Sequence, residues 1–189
     1  MFFKLDKMNL QIETYPINQC SIIGKTKEHW GEFSNMATLP IVINDVIILT
    51  TEALYQSLKY PDYPEIQKKR IEQKSPIAAK MVQKPFKNLI RGDWNEIKLE
   101  VMSWCLSVKF LQHHEIFLQL LKATQGKYIV EVSKKDAFWG AKKENDNFVG
   151  QNILGKLWMI LREQPPINPT PPKNKNLKLF GVTTDDMRS

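Results

Sequence analysis

LPIVINDVIILTTEALYQSLKY, residues 39–60, decides the fold class. Two β-branched runs meet at Asn44-Asp45, residue types that tolerate the positive φ angles of a tight turn, so the first half predicts a hairpin. Thr50 and Thr51 offer a cap to the segment that follows, EALYQSLKY, which a helix can occupy until Pro61. A hairpin running straight into a helix points to an α+β chain. On a 3.6-residue period Glu52, Gln56 and Lys59 fall along one stripe and Leu54 and Leu58 along another, so this short helix displays an acid, an amide and an amine together.

Beyond this stretch, Pro64 opens a charged helix to about Gln73, and Ser75-Pro76 supplies a cap and first-turn proline for IAAKMVQK. Asp93 and Glu96 have capping-box spacing ahead of the strongest helix, whose apolar face is Ile97, Val101, Trp104, Cys105, Val108 and Leu111. A further helix from His114 to about Lys122 turns Ile116, Phe117, Leu120 and Leu121 inward. KYIVEV is a candidate strand, and the last helix runs from about Asn152 to Arg162 with Leu154, Leu157, Trp158 and Leu161 as its face. Trp104 and Trp158 read as core. The expectation is a predominantly helical α+β domain with a small hairpin or sheet component.

Five of the eleven prolines crowd into PPINPTPP, residues 165–172, which cannot continue a helix. One domain is therefore expected over residues 1–164, with a Pro-rich, basic tail over 165–189. A mobile terminus is the ordinary reading of such a tail; Leu177, Leu179 and Phe180 are the residues that would dock it.

The 189 residues carry a formal charge of +7, are 42% hydrophobic and 25% charged, and have a pI near 9.3. Four basic and two acidic residues put +2 on the tail, leaving +5 on residues 1–164. That balance favours anionic partners without choosing among nucleic acid, phosphorylated and pyrophosphate ligands. No apolar run approaches the roughly 18 to 20 residues of a membrane span, and MFFKLDKMNL lacks the apolar stretch of a signal peptide. A cytoplasmic location is expected. Cys20 and Cys105 build neither a disulfide framework nor a CxxC pair, and three histidines are poorly spaced for a metal; no metal or cofactor is expected.

The eight glycines form neither a GxGxxG turn nor a phosphate loop, and no GxSxG elbow is present. Several of them instead sit beside aromatics and amides: Gly31 before Glu32, Phe33, Ser34 and Asn35; Gly140 after Asp136, Phe138 and Trp139; Gly150 and Gly155 around Asn152. Close backbone approach, a stacking face and oriented polar groups are what a ligand pocket requires. Taken singly, each segment is ordinarily a turn packed by an aromatic.

Together these pieces resemble the NADAR, or YbiA-like, family. The matching segments are GEFSNM (31–36), TTEALYQSLKY (50–60), RGDWNEIKLEVMSWCLSVKF (91–110), KDAFWGA (135–141) and GQNILGKLWMILRE (150–163), in the family's order and covering about residues 28–164. The resemblance implies cleavage of N-glycosidic bonds. One branch of the family acts on early phosphoribosyl intermediates of riboflavin biosynthesis. Another removes ADP-ribose from guanine in DNA, as the antitoxin to a DNA ADP-ribosyltransferase toxin. Residues 52–86, with MSWCLSVK and KDAFWGAKK, look more like the DNA-directed branch. The partners implied are ADP-ribosylated DNA or ADP-ribose and a cognate toxin. A binder that has lost catalysis is the reading from a different class.

Such a bond breaks through an oxocarbenium-like state aided by a carboxylate near C1 and an acid for the departing nitrogen. Glu52 and Asp136 lie on family motifs and are the carboxylates expected to do this, with their acid and base roles left open. Lys59 or Lys109 can attack the opened sugar as an amine or hold phosphate, although Lys109 also fits a lysine reaching from a helix end to solvent. The substrate-binding expectations are Glu32, Phe33, Ser34, Asn35, Gln56, Arg91, Trp94, Lys109, Trp139, Gly140, Asn152 and Gly155: Trp94 and Trp139 for stacking, Asn35 and Asn152 for ribose or base edges, Arg91 for phosphate. Met36, Ala53 and the RGDW order at 91–94 depart from the family's usual residues.

Overall fold

The computed structural model describes residues 8–73, 84–168, 171–172 and 175–183. In chain order the elements are β1 (Glu13–Pro16), β2 (Cys20–Ile23), β3 (Ile41–Ile43), β4 (Val46–Ile48), α1 (Thr51–Ser57), α2 (Pro64–Ile71), α3 (Trp94–Gln112), α4 (His114–Ala123), β5 (Tyr128–Glu131), β6 (Lys142–Glu144), β7 (Asn147–Gly150), α5 (Ile153–Glu163), β8 (Lys178–Leu179) and β9 (Val182–Thr183). Single 3-10 turns occupy Ile17–Gln19 and Gly31–Phe33, and a longer one Lys84–Leu89. The mixed α+β class is as expected. The chain divides into two compact units, residues 1–37 with 113–167 and residues 38–112 with 168–189.

The first unit contains the larger sheet. β7 lies between β1 and β6, antiparallel to both. Tyr15 pairs with Phe148 across that sheet, and both are buried with Val130 and Ala141. β2 and β5 form a separate parallel pair. Against β5 lies α5, at a distance only glycine permits: a Cβ on Gly155 would stand 2.0 Å from the Ile129 carbonyl oxygen. α4 stacks its Phe117 ring on Trp158 of α5, centroids 4.8 Å apart and 13° from parallel. Phe33 completes this aromatic core, and its carbonyl accepts the Trp158 indole N–H at 2.9 Å. Ile116, expected inward, is 43% exposed because α4 rests on the core only through Phe117 and Leu121.

The second unit begins with the β3–β4 hairpin, whose turn residues Asn44 and Asp45 take φ of 49° and 61°. Positive φ at both positions matches the right-handed twist of the strands. Thr50 caps α1, its hydroxyl oxygen accepting from the Ala53 N–H at 3.1 Å. α1 ends at Ser57 rather than continuing to Pro61, so Lys59 and Tyr60 lie beyond the helix. α2 starts at Pro64 as expected; the helix predicted after Ser75 lies outside the described residues. α3 is buried on every side from Val101 to Phe110 rather than along one stripe. No helix among the described residues is long and apolar enough to cross a membrane.

The tail overturns the mobile reading for the residues described. Leu177 and Leu179 are each 1% exposed, and β8–β9 forms a small hairpin over Phe180-Gly181. The buried Gln67 side chain of α2 holds it like a strand partner, donating to the Lys178 carbonyl and accepting from the Phe180 N–H, both at 2.7 Å. Apolar alternation at Leu177 and Leu179 supplies the burial, and Gln67 satisfies the backbone this burial would otherwise strand.

Candidate functional site

In the helical unit Glu52 sits in the first turn of α1, half-buried, and its Oε1 accepts from the Gln56 amide nitrogen at 2.8 Å. The i, i+4 spacing read from sequence thus becomes a direct bond. Gln56 Oε1 is buried and has no hydrogen-bond partner among the described residues. Lys59, past the end of α1, places its Nζ 5.3 Å from the Trp94 ring centroid and 5.7 Å from that of Tyr55. Those two rings stand 5.0 Å apart. Burial lowers the Lys59 pKa to about 8; the Glu52 charge opposes this, while Arg70 and Lys98 add to it. The aromatic faces attract the cation, yet desolvation wins. An amine in that condition supplies a neutral, nucleophilic fraction near neutral pH.

Arg70 of α2 is a residue the sequence reading missed. It is 1% exposed, its guanidinium lies 5.3 Å from the Tyr60 ring centroid, and among the described residues its Nε and Nη2 have no hydrogen-bond partner. Burial lowers its pKa, countered by Tyr60 and the Glu52 charge. A signal was present in the sequence: Arg70 shares the α2 face of Ile66, Gln67 and Ile71, all buried, while Lys68 and Lys69 point out. Unpartnered buried N–H groups are costly, a need that an oxygen-bearing ligand or an ordered water would meet; the guanidinium also feels the Glu52 charge and acts on Lys59.

Two other expected cations are placed differently. Arg91 grips Asp93 through two bonds, 2.6 and 2.9 Å, and donates to the carbonyls of Lys175 and Asn176 at 2.6 and 3.2 Å. It clamps the returning tail, and Asp93 is held below the usual carboxylate range chiefly by that bond. Lys109 is fully buried on α3 rather than reaching solvent. Cys105, equally buried, has its thiol pKa pushed well up by burial and by the Glu52 charge, so it stays a protonated core residue. Trp94 is 8% exposed, its ring tilted 56° to that of Tyr55 and facing the Lys59 ammonium.

In the sheet unit, Gly31 allows the tight turn before Phe33, since a Cβ there would meet the Thr26 carbonyl oxygen at 2.3 Å. Glu32 is half-buried, Ser34 and Asn35 are buried, and the Ser34 hydroxyl oxygen accepts from the Met36 N–H at 3.2 Å. Phe33 has no exposed surface and packs in the aromatic core. Asp136 is exposed, and its Oδ1 accepts from the N–H groups of Phe138 and Trp139 at 2.9 and 3.0 Å. It shapes the turn that carries the half-buried Trp139.

That turn also covers the start of α5. The carbonyls of Gly140, Phe138 and Trp139 accept from the N–H groups of Asn152, Ile153 and Leu154, which occupies donors that a helix start otherwise leaves open. Asn152 has φ 51° and is fully buried; its side chain donates to the Ile129 carbonyl at 2.8 Å and accepts from the Glu131 N–H at 3.0 Å. Asn152, Gly140 and Gly155 together fix the loop and α5 onto β5. The structure therefore gathers Glu52, Gln56, Lys59 and Trp94 in one unit and Asp136, Trp139, Gly140, Asn152 and Gly155 in the other. It sets Arg91, Lys109 and Phe33 to anchoring or interior positions.

A cavity of about 520 Å³ in the sheet unit is lined by Met8, Asn9, Glu13, Lys156, Met159, Ile160 and Gln164. Its lysine is already tied to Glu13 and the Asn9 carbonyl. Among the described residues no three His, Cys, Asp or Glu side chains cluster as metal ligands would.

Comparison with known proteins gives a consistent picture. A family model described as the NADAR domain matches residues 23–164. An N-glycosidase YbiA of Shigella sonnei is 36% identical over 139 residues, 74% of this chain and 84% of that protein. A riboflavin biosynthesis protein of Vibrio vulnificus is 31% identical over 137 residues, 72% of this chain and 36% of that protein. The NMR structure of the Escherichia coli protein YbiA superposes with a TM-score of 0.64 at 34% identity, covering 77% of this chain and 83% of that one.

Proposed function

The chain belongs to the NADAR domain family and is a hydrolase of N-glycosyl bonds, and from that premise we propose that it removes ADP-ribose from guanine in DNA, in the cytoplasm, as the antidote to a DNA ADP-ribosylating toxin. The carrying observation is the Glu52–Gln56–Lys59 group: a carboxylate oriented by an amide, beside an amine whose pKa lies near 8. The resemblance of residues 52–86 to the DNA-directed branch supports the choice of substrate.

In this reading the C1–N bond of the ribose breaks as positive charge develops at C1, and the Glu52 carboxylate stabilises that charge. The bonding electrons leave with guanine, which takes up a proton; water adds to C1 and loses one. Lys59 in its neutral form serves as base to that water, or attacks C1 of the opened sugar and is released by hydrolysis of the resulting imine. Trp94 offers a stacking face. In the other unit, Asp136 keeps the Trp139 turn in shape.

A second reading keeps the chemistry and takes small phosphoribosyl intermediates of riboflavin biosynthesis as substrate; relatives named as riboflavin biosynthesis proteins in maize and Vibrio vulnificus favour it. The two separate when ADP-ribosylated guanine in an oligonucleotide and the riboflavin intermediates are offered in parallel. Release of ADP-ribose is the expected result, and cleavage of the small molecules alone would replace the first reading with the second. A chain that binds ADP-ribose and cleaves neither substrate would be the non-catalytic binder.

A further inference from the structure

The loop around Asp136 is flanked by lysines to which the proposed hydrolysis assigns no role. Lys134, Lys135, Lys142 and Lys143 are all exposed. The Ser133 N–H donates to the Ala141 carbonyl at 2.9 Å, and Val132 and Ala141 form a parallel bridge. The two lysine pairs therefore leave the base of one loop side by side. β6, which holds the second pair, is an edge strand. Among the described residues none of the four enters an ion pair. The carboxylates of the same stretch, Asp136, Glu144 and Asp146, offset part of this charge; the four lysines outnumber them, and Asp136 is turned to two backbone N–H groups. Between the lysine pairs the loop raises Phe138 and Trp139, half-buried, with centroids 5.1 Å apart and rings nearly perpendicular.

Four cations flanking two aromatic faces is the chemistry of single-strand binding: ammonium groups track phosphates, and rings take unstacked bases. We propose that Lys134, Lys135, Lys142 and Lys143, with the Phe138–Trp139 pair between them, bind the phosphodiester backbone and neighbouring bases of the DNA strand that carries the scissile ADP-ribose. This inference rests on the DNA reading given above and adds to it the surface by which the carrier strand is held. Lysines on an edge strand also deter strand-to-strand pairing, but that task is served equally by charge of either sign. Charge reversal therefore separates the two roles.

The test uses the full chain, a single-stranded oligonucleotide bearing one ADP-ribosylated guanine, the same oligonucleotide unmodified, and free ADP-ribose. The variants are Lys134→Gln/Lys135→Gln/Lys142→Gln/Lys143→Gln and the charge reversal Lys142→Glu/Lys143→Glu, each checked for wild-type thermal unfolding. Each phosphate contact to a single strand contributes about −0.7 to the slope of log K against log salt, so loss of four contacts flattens that slope by up to about 3. KM for the modified oligonucleotide should rise about tenfold or more in both variants, while affinity for free ADP-ribose stays within about twofold of wild type. Wild-type salt slope and KM in both variants would remove the surface and leave the DNA reading standing. Failure of the wild-type chain to release ADP-ribose from DNA would sink both.

Discussion

The Gln56 amide nitrogen donates to Glu52 Oε1 at 2.8 Å, one helical turn away. The bond orients the carboxylate, and a flipped amide would set its carbonyl oxygen against Glu52 Oε1, so the observed orientation is the favoured one. Glu52→Gln keeps the shape and removes the charge that would stabilise C1. Turnover should fall by about a hundredfold or more with ligand affinity retained; single-turnover rates and isothermal titration with ADP-ribose separate the two. Undiminished turnover would take Glu52 out of the mechanism.

Lys59 makes a prediction in pH. Its pKa is lowered to about 8, so between roughly pH 8 and its unfolded value near 10.4 the unfolded chain binds a proton that the folded chain does not. Stability attributable to this group therefore rises with pH across that window, and below about pH 8 the fold carries the cost of a desolvated ammonium. Lys59→Met should be more stable than wild type at pH 7, with the difference shrinking as pH rises from about 8 to about 10.4, in denaturant melts run at matched ionic strength. The same variant should lose activity. If Lys59 forms an imine, borohydride with substrate traps an adduct in wild type that Lys59→Met lacks.

How far these features were legible from sequence differs by residue. The β3–β4 turn was plain because Asn44 and Asp45 are a local signal, and the Thr50 cap because it answers to the next three residues. β6 was not, since Lys-Lys-Glu is exposed throughout and becomes a strand only by pairing with Asn147–Val149. Arg91 reads as a free cation until the carbonyls of Lys175 and Asn176, some 84 residues later, claim it. The same nonlocality hid Asn152, whose amide serves the backbone of β5 instead of a ligand. The Glu52–Gln56 pair was readable because its i, i+4 spacing is local, whereas Lys59 lies past the end of α1, off the helical stripe on which its spacing placed it.

Arg70 is the test of a buried charge that spacing alone did not reveal. Its Coulombic partners include Glu52, which favours the charged guanidinium, and Lys59, whose ammonium it disfavours. Removing the charge with Arg70→Met should raise the Lys59 pKa and move the alkaline rise in kcat/KM to higher pH, whereas Arg70→Lys should leave the profile near its wild-type position. Protein stability need not fall, because an apolar group spares the desolvation of the guanidinium. Unchanged profiles in both variants would confine Arg70 to packing against Tyr60.

Asp136 holds two N–H groups at the turn that carries Trp139, and its substitutions divide shape from charge. Asn retains an oxygen that can accept from Phe138 and Trp139, so Asp136→Asn should keep the loop and its stability while removing the carboxylate. Asp136→Ala loses both acceptor bonds at once and should cost about 1 to 2 kcal/mol. If the carboxylate acts in the chemistry, both variants lose turnover to a similar degree. If it only shapes the turn, Asp136→Asn remains active and Asp136→Ala alone fails.

Gln67 gives the tail a measurable role. Its side chain meets the Lys178 carbonyl and the Phe180 N–H on one hairpin and the Ser57 carbonyl at the end of α1. Gln67→Ala strands those groups and opens space where the buried side chain stood. A loss of about 2 to 3 kcal/mol is expected, similar to that of Arg91→Ala, which frees the preceding two carbonyls and unpairs Asp93. Deleting residues 173–189 should lower the thermal midpoint of both single variants' parent by at least as much. Once the tail is gone, Gln67→Ala should add little, because the two changes act on the same contact. Full additivity in that double-mutant cycle would show that the tail and Gln67 stabilise the helical unit independently.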